Sequence, residues 1–152
     1  MVSVQALANS ILKRSFEESI VVTPMKLQKL LYFIYRDYLK NNHEPLFGEN
    51  FQVWQYGPVL SSVYDEFKSF RASPIDRFAK DAQDRVFVIN EKNAKEVGQS
   101  INRVWERYKT KDGIELSKMT HEPGTAWDKA YKDERPCLKD EDILDEAERT
   151  TN

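Results

Sequence analysis

The stretch TPMKLQKLLYF, residues 23–33, decides how the rest of the sequence is read. Thr23 offers a hydroxyl that caps a helix. Pro24 suits the first helical position, where its missing N–H has no intrahelical partner to lose. From that start Leu27, Leu30, Leu31, Ile34 and Tyr38 recur at helical spacing on one face. Lys26, Lys29, Arg36 and Lys40 gather on another, with Phe33 among them. Periodicity alone therefore predicts a core helix to about Leu39 with a solvated basic side.

Upstream, Ser3 caps an expected first helix in which Val4, Leu7, Ala8, Ile11 and Leu12 form an apolar stripe that ends near Phe16. Downstream, Asn41, Asn42 and Pro45 break the central helix, and FQVWQ at 51–55 has the aromatic and β-branched character of a short strand. Gly57-Pro58 stops it, and Pro58 is expected to start a third helix with Val59, Val63, Phe67 and Phe70 on one side. Residues 76–84 read as a charged surface loop. RVFVI at 85–89 reads as a second strand pairing with 51–55 in a ribbon laid on helices, because an isolated pair is barely stable. A long helix after Asn90 places Ala94, Val97, Ile101, Val104, Trp105 and Tyr108 on one face and is expected to end at Asp112-Gly113. Two shorter helices follow around 114–120 and 124–132. A last one at 140–149 has only Ile143, Leu144 and Ala147 to bury, which predicts weak anchorage. The expected fold is mainly α: a compact single-domain bundle of six or seven helices with a small two-stranded β ribbon. Its core is expected to hold Leu27, Leu30, Leu31, Ile34, Val63, Phe67, Val97, Ile101 and Val104.

A chain of 152 residues is enough for one substantial core. Its net charge of −2 argues against a surface built throughout for nucleic acid. The charge is uneven, since residues 139–152 carry net −4 and the remainder +2, so a basic front is set against an acidic tail. One cysteine, Cys137, makes no intramolecular disulfide and reads as an incidental thiol. With two histidines it falls short of a structural zinc cluster, so no metal is expected. The amino end, MVSVQALANSILKRSFEES, has no charged leader and is too short and polar for a signal peptide or a membrane span, so a cytoplasmic chain with no membrane partner is expected.

The search for chemistry yields little. Five glycines form no phosphate-binding loop, and dinucleotide, metalloprotease and nucleophile-elbow motifs are absent, so no cofactor is expected. His121 is the one candidate base, with Ser117 four residues before it and Glu122 and Asp128 nearby, but serine and histidine often meet this spacing by chance. The basic residues Lys26, Lys29, Arg36 and Lys40 interleave with Tyr32, Phe33 and Tyr35 as a nucleic-acid helix requires. The same helix must also bury its leucines, and Asp37 offsets the patch.

Three segments gain meaning together: TPMKLQKLLYF at 23–33, FQVWQYGPVLSSVYDEF at 51–67 and ELSKMTHEPGTAW at 115–127. Their order and spacing resemble the Panacea domain, the SocA-like antitoxin family also found in phage-associated proteins of the GepA type. The matched positions are Thr23, Pro24, Lys26, Leu27, Gln28, Lys29, Leu30, Leu31 and Tyr32; then Phe51, Trp54, Gly57, Pro58 and Val59; then Leu116, Ser117, Thr120, His121 and Trp127. The resemblance covers the chain from its first helix to about residue 135. It implies a domain over residues 1–138, followed by an acidic helix or tail at 139–152 that matches no family motif. Residues 71–90 are longer and more charged than the family core. The function implied is that of a non-enzymatic antitoxin that neutralises a cognate protein toxin by direct binding, and it extends to a role as adaptor to a ClpXP-type protease. Thr23, Pro24, Lys26, Gln28, Lys29, Tyr32, Trp54, Tyr56, Gly57, Pro58, Thr120, His121 and Trp127 are then expected to form a polar network that either fixes the fold or lines a groove for the partner. The alternatives are a DNA-binding regulator using the basic face of the second helix, and a small hydrolase using Ser117 and His121.

Overall fold

The computed structural model describes residues 1–150. The elements run α1 (Val4–Glu18), α2 (Pro24–Asn42), β1 (Gln52–Trp54), β2 (Gly57–Val59), α3 (Ser61–Phe67) with a 3-10 turn at Lys68–Phe70, α4 (Lys95–Tyr108), α5 (Gly113–Thr120), α6 (Ala126–Lys132) and α7 (Asp140–Arg149). The mainly α fold with a small two-stranded sheet is as the sequence predicts, and all nine expected core residues are buried.

Local chemistry sets the helix starts. The Thr23 hydroxyl accepts from the Lys26 amide with Pro24 at the first position, and Ser3 does the same for Ala6. α2 is the axis of the fold and packs against α1, α3, α4, α5, α7 and β2. Its run from Lys26 to Tyr35 is buried without interruption. A helix enclosed on all sides has no wet face. The expected solvated basic side is thus overturned at Lys26 and Lys29, 5% and 1% exposed, while Lys40 near the end of the helix is only half-buried.

The ribbon also differs. β1 pairs antiparallel with β2, Trp54 opposite Gly57, across a two-residue turn at Gln55-Tyr56. Gly57 has φ 112, open to glycine but strained for other residues. The third helix accordingly starts at Ser61 rather than Pro58. On the other side of β1, Gln52 bridges Cys137, the Val53 amide donates to Pro136 O and the Leu138 amide to Phe51 O. The expected partner RVFVI is not a strand. It lies along α1, where Asn9 donates to Phe87 O and the Ile89 amide donates to Ser10 Oγ. The long helix ends at Tyr108, and Asp112 instead opens α5, in a capping box with Glu115.

The last helix is firmly held. Glu146 on α7 accepts from Tyr32 OH at 2.9 Å, from the Ala126 amide at 2.9 Å and from Arg36 at 2.7 Å, and Asp140 accepts from Tyr35 OH at 2.8 Å. Tail acid and helix base meet inside the molecule, so the two expected poles partly cancel, and weak anchorage is not observed.

Candidate functional site

The three sequence motifs converge on the backbone of the β1–β2 hairpin and the residue that follows it. Five consecutive or near-consecutive carbonyls meet polar side-chain groups of the surrounding helices. Trp127 Nε1 donates to Trp54 O at 2.8 Å, His121 Nε2 lies 2.7 Å from Gln55 O, and Ser117 Oγ donates to Tyr56 O at 2.6 Å. Lys29 Nζ donates to Pro58 O at 2.9 Å, and Gln28 donates to Leu60 O while accepting from the Leu60 amide, as a neighbouring strand would. Thr120 completes the support: its hydroxyl donates to Ser117 O at 2.6 Å and fills the space where a Gly57 side chain would stand, 2.4 Å from that Cβ position. A short hairpin that leaves carbonyls unpaired is thereby satisfied by side chains, as buried polar groups require.

This geometry overturns the Ser117–His121 pair. The Ser117 hydroxyl is committed to Tyr56 O, and His121 Nδ1 faces the Ser117 carbonyl at 2.6 Å, not the hydroxyl. Each imidazole nitrogen faces a carbonyl oxygen, so whichever carries the hydrogen donates there. His121 also packs edge-on to Trp127. Ser117 and His121 here are clamps on the hairpin.

On the outer side of the hairpin lies a groove of about 390 Å³ between the start of α2, the hairpin and α3. Pro24, Gln28, Lys29, Trp54 and Tyr56 line it, joined by residues that sequence reading did not assign to a site: Met25, Val63, Tyr64, Phe67 and Arg71. Tyr56 and Tyr64 are 57% and 42% exposed, and the Tyr64 ring meets Trp54 edge-on at 4.7 Å. Trp54 is itself oriented by its indole N–H donating to Gln52 Oε1 at 2.8 Å. Val63 and Phe67 were legible only as core positions. Tyr64, one residue along, carries no signal in a single sequence that separates it from an incidental surface tyrosine.

Lys29 forms part of the floor. Burial with no acidic partner to offset it draws its ammonium down to about 7 from the ordinary lysine range. The remaining expected residues stand apart from the groove or behind it. Thr23 caps α2 beside a separate depression, Lys26 Nζ donates to Lys109 O, and Tyr32 lies beneath α7. Gly57, Pro58, Thr120, His121 and Trp127 support the hairpin from within. With Lys26 and Lys29 buried and Arg36 paired to Glu146, the contiguous basic face that a DNA-binding α2 needs is missing. Among the described residues, no helix is long and apolar enough to cross a membrane.

The class defined by fold and site is a mainly α domain whose axial helix holds a clamped hairpin beside an aromatic groove. The chain belongs to the family described as Antitoxin SocA-like, Panacea domain, whose sequence model matches residues 27–128, more than half of its length. It is similar to Antitoxin SocA of Caulobacter vibrioides (strain NA1000 / CB15N), with 28% identity over 130 residues that cover 84% of this chain and 69% of that protein. No solved structure matches the chain significantly. The matched range contains α3, the hairpin, all five hairpin clamps and most of the groove, and stops before α7.

Proposed function

We propose that the chain is an antitoxin that neutralises a cognate toxin encoded beside it by direct binding, and that the toxin docks in the groove between α2, the hairpin and α3. Family membership and the similarity to a protein named as an antitoxin support the role. The observation that carries the docking site is the exposure of Tyr56 and Tyr64 around Trp54, on a hairpin whose backbone is fixed by five side chains from two other motifs. Tyrosine and tryptophan on a rigid platform supply large contact area at low entropic cost, the usual make-up of residues that dominate binding. Thr23, Lys26, Tyr32, Gly57, Pro58, Thr120, His121 and Trp127 serve the platform, and Pro24, Gln28, Lys29, Trp54 and Tyr56 face the partner. The module works without catalysis. Handing the toxin to a ClpXP-type protease is a further step that the family resemblance implies.

The test is expression of the neighbouring gene's product with and without this chain, followed by affinity purification. Growth arrest relieved by co-expression, with the two proteins recovered as a complex, is the expected result. Equal toxicity in both strains, or relief without a complex, contradicts direct neutralisation.

A further inference from the structure

The groove carries charge of one sign. Its lining includes two cations, Lys29 on the floor and Arg71 at the rim, and no carboxylate. Lys29 is 1% exposed, and among the described residues its three donors have a single hydrogen-bond acceptor, Pro58 O at 2.9 Å. Arg71 is exposed and makes no ion pair among the described residues. A buried charge without a counter-charge is costly, and most such groups in folded proteins are paired. Two other bases of α2 follow that rule: Arg36 is matched by Glu146, and the acids Asp112 and Glu115 partly offset the burial of Lys26. Lys29 is left without a counter-charge beneath a partly apolar groove bounded by Val59, Val63, Tyr64 and Phe67.

We propose that the groove takes an acidic segment of the bound protein, seating an apolar or aromatic side chain against Val63, Tyr64 and Phe67 while a neighbouring carboxylate reaches the Lys29 ammonium. The proposal rests on the groove being the toxin's docking site and names the chemistry it selects. A volume near 390 Å³ lies at the small end for ligand pockets, matching one or two side chains rather than a whole helix. Arg71 at the rim favours the same sign of charge.

The consequence is coupling between binding and protonation. The groups beside Lys29 Nζ are the Pro58 carbonyl and the Thr120 hydroxyl near the Gly57 backbone, and the titratable groups of the groove above it are Arg71, Tyr56 and Tyr64. None is a carboxylate. In the free chain the amine loses its proton near pH 7. A carboxylate arriving beside it restores the charge, so complex formation near neutral pH takes up a proton. Affinity is greatest below pH 7 and falls as pH rises above it.

The experiment is titration calorimetry of the full chain with the neighbouring gene's product between pH 6 and 9, in buffers of different ionisation enthalpy. Wild type, Lys29→Met and Tyr56→Ala are compared. At pH 7 the wild type is expected to take up about half a proton more than Lys29→Met and to lose affinity about tenfold or more between pH 7 and 9 relative to that variant. Weakened binding by Tyr56→Ala, together with wild-type affinity and identical proton uptake for Lys29→Met, overturns the acidic-segment proposal and leaves the groove as the docking site. An unaffected Tyr56→Ala overturns the groove itself. Absence of any complex overturns both. Should Lys29→Met misfold, the wild type decides alone: a fall in affinity of about tenfold or more between pH 7 and 9 supports the proposal, and a flat profile with no proton uptake overturns it.

Discussion

Replacing Glu146 with alanine removes one carboxylate that three elements share. Arg36 and Glu146 side chains are 12% and 7% exposed, so the substitution strands a buried guanidinium rather than loosening a surface pair. It also leaves Tyr32 OH and the Ala126 amide at the start of α6 without their acceptor. Breaking a buried pair by deleting one partner costs about 3–5 kcal/mol. For a domain of this size that corresponds to a fall in Tm of roughly 6–20 °C. Urea denaturation followed by circular dichroism measures the loss, and a double-mutant cycle with Arg36→Met isolates the pair. Because Arg36→Met removes the charge that Glu146→Ala strands, the double variant should cost clearly less than the two singles summed. A loss below about 1 kcal/mol for Glu146→Ala, or simple additivity in the cycle, would refute the claim that α7 is locked onto α2 through this carboxylate.

Gly57→Ala places a Cβ 2.4 Å from the Thr120 hydroxyl at a φ of 112, and urea denaturation should show a loss above about 1 kcal/mol. Lys29→Met tests the buried amine by linkage. Its folded-state pKa of about 7 lies below the ordinary 10.5, so the unfolded chain holds the extra proton between those values and wild-type stability should rise with pH across that window, by as much as ~5 kcal/mol. In Lys29→Met this rise should vanish, and an unchanged pH profile of stability would contradict the assignment. His121→Gln removes one hairpin clamp, at a cost of about 1 kcal/mol, yet should still neutralise the toxin in co-expression.

Helices were legible because their signals are local. Ser3 and Thr23 cap where a hydroxyl must, and the leucine spacing of α2 marks its buried side without knowledge of the neighbours. The basic residues of α2 were misread for the opposite reason. A helical period sorts residues into faces but is blind to whether a second surface will be covered, and here α7 and the hairpin cover it. The hairpin escaped notice because Gln55-Tyr56 lacks the Asn-Gly type of turn and Gly57-Pro58 reads as a breaker. Proline is tolerated in β2, a strand paired on one side only. RVFVI has strand propensity but cannot pair with β1 as expected, since β2 takes one side of β1 and residues 136–138 the other. The motif residues were found by resemblance. Their convergence on the hairpin carbonyls, and the place of Tyr64 and Arg71 beside them, required the fold.

Toxin binding by the aromatic groove is tested by surface-kinetic binding of the neighbouring gene's product to wild type, to Tyr56→Ala/Tyr64→Ala and to Phe87→Ala. Phe87 is 55% exposed and lies along α1, away from the groove, so it controls for the general loss of a surface aromatic. Faster dissociation and a loss of about 2 kcal/mol or more, roughly thirtyfold in Kd, are predicted for the groove variant, with Phe87→Ala unchanged. Wild-type dissociation from the groove variant, or an equal loss from Phe87→Ala, would contradict the claim.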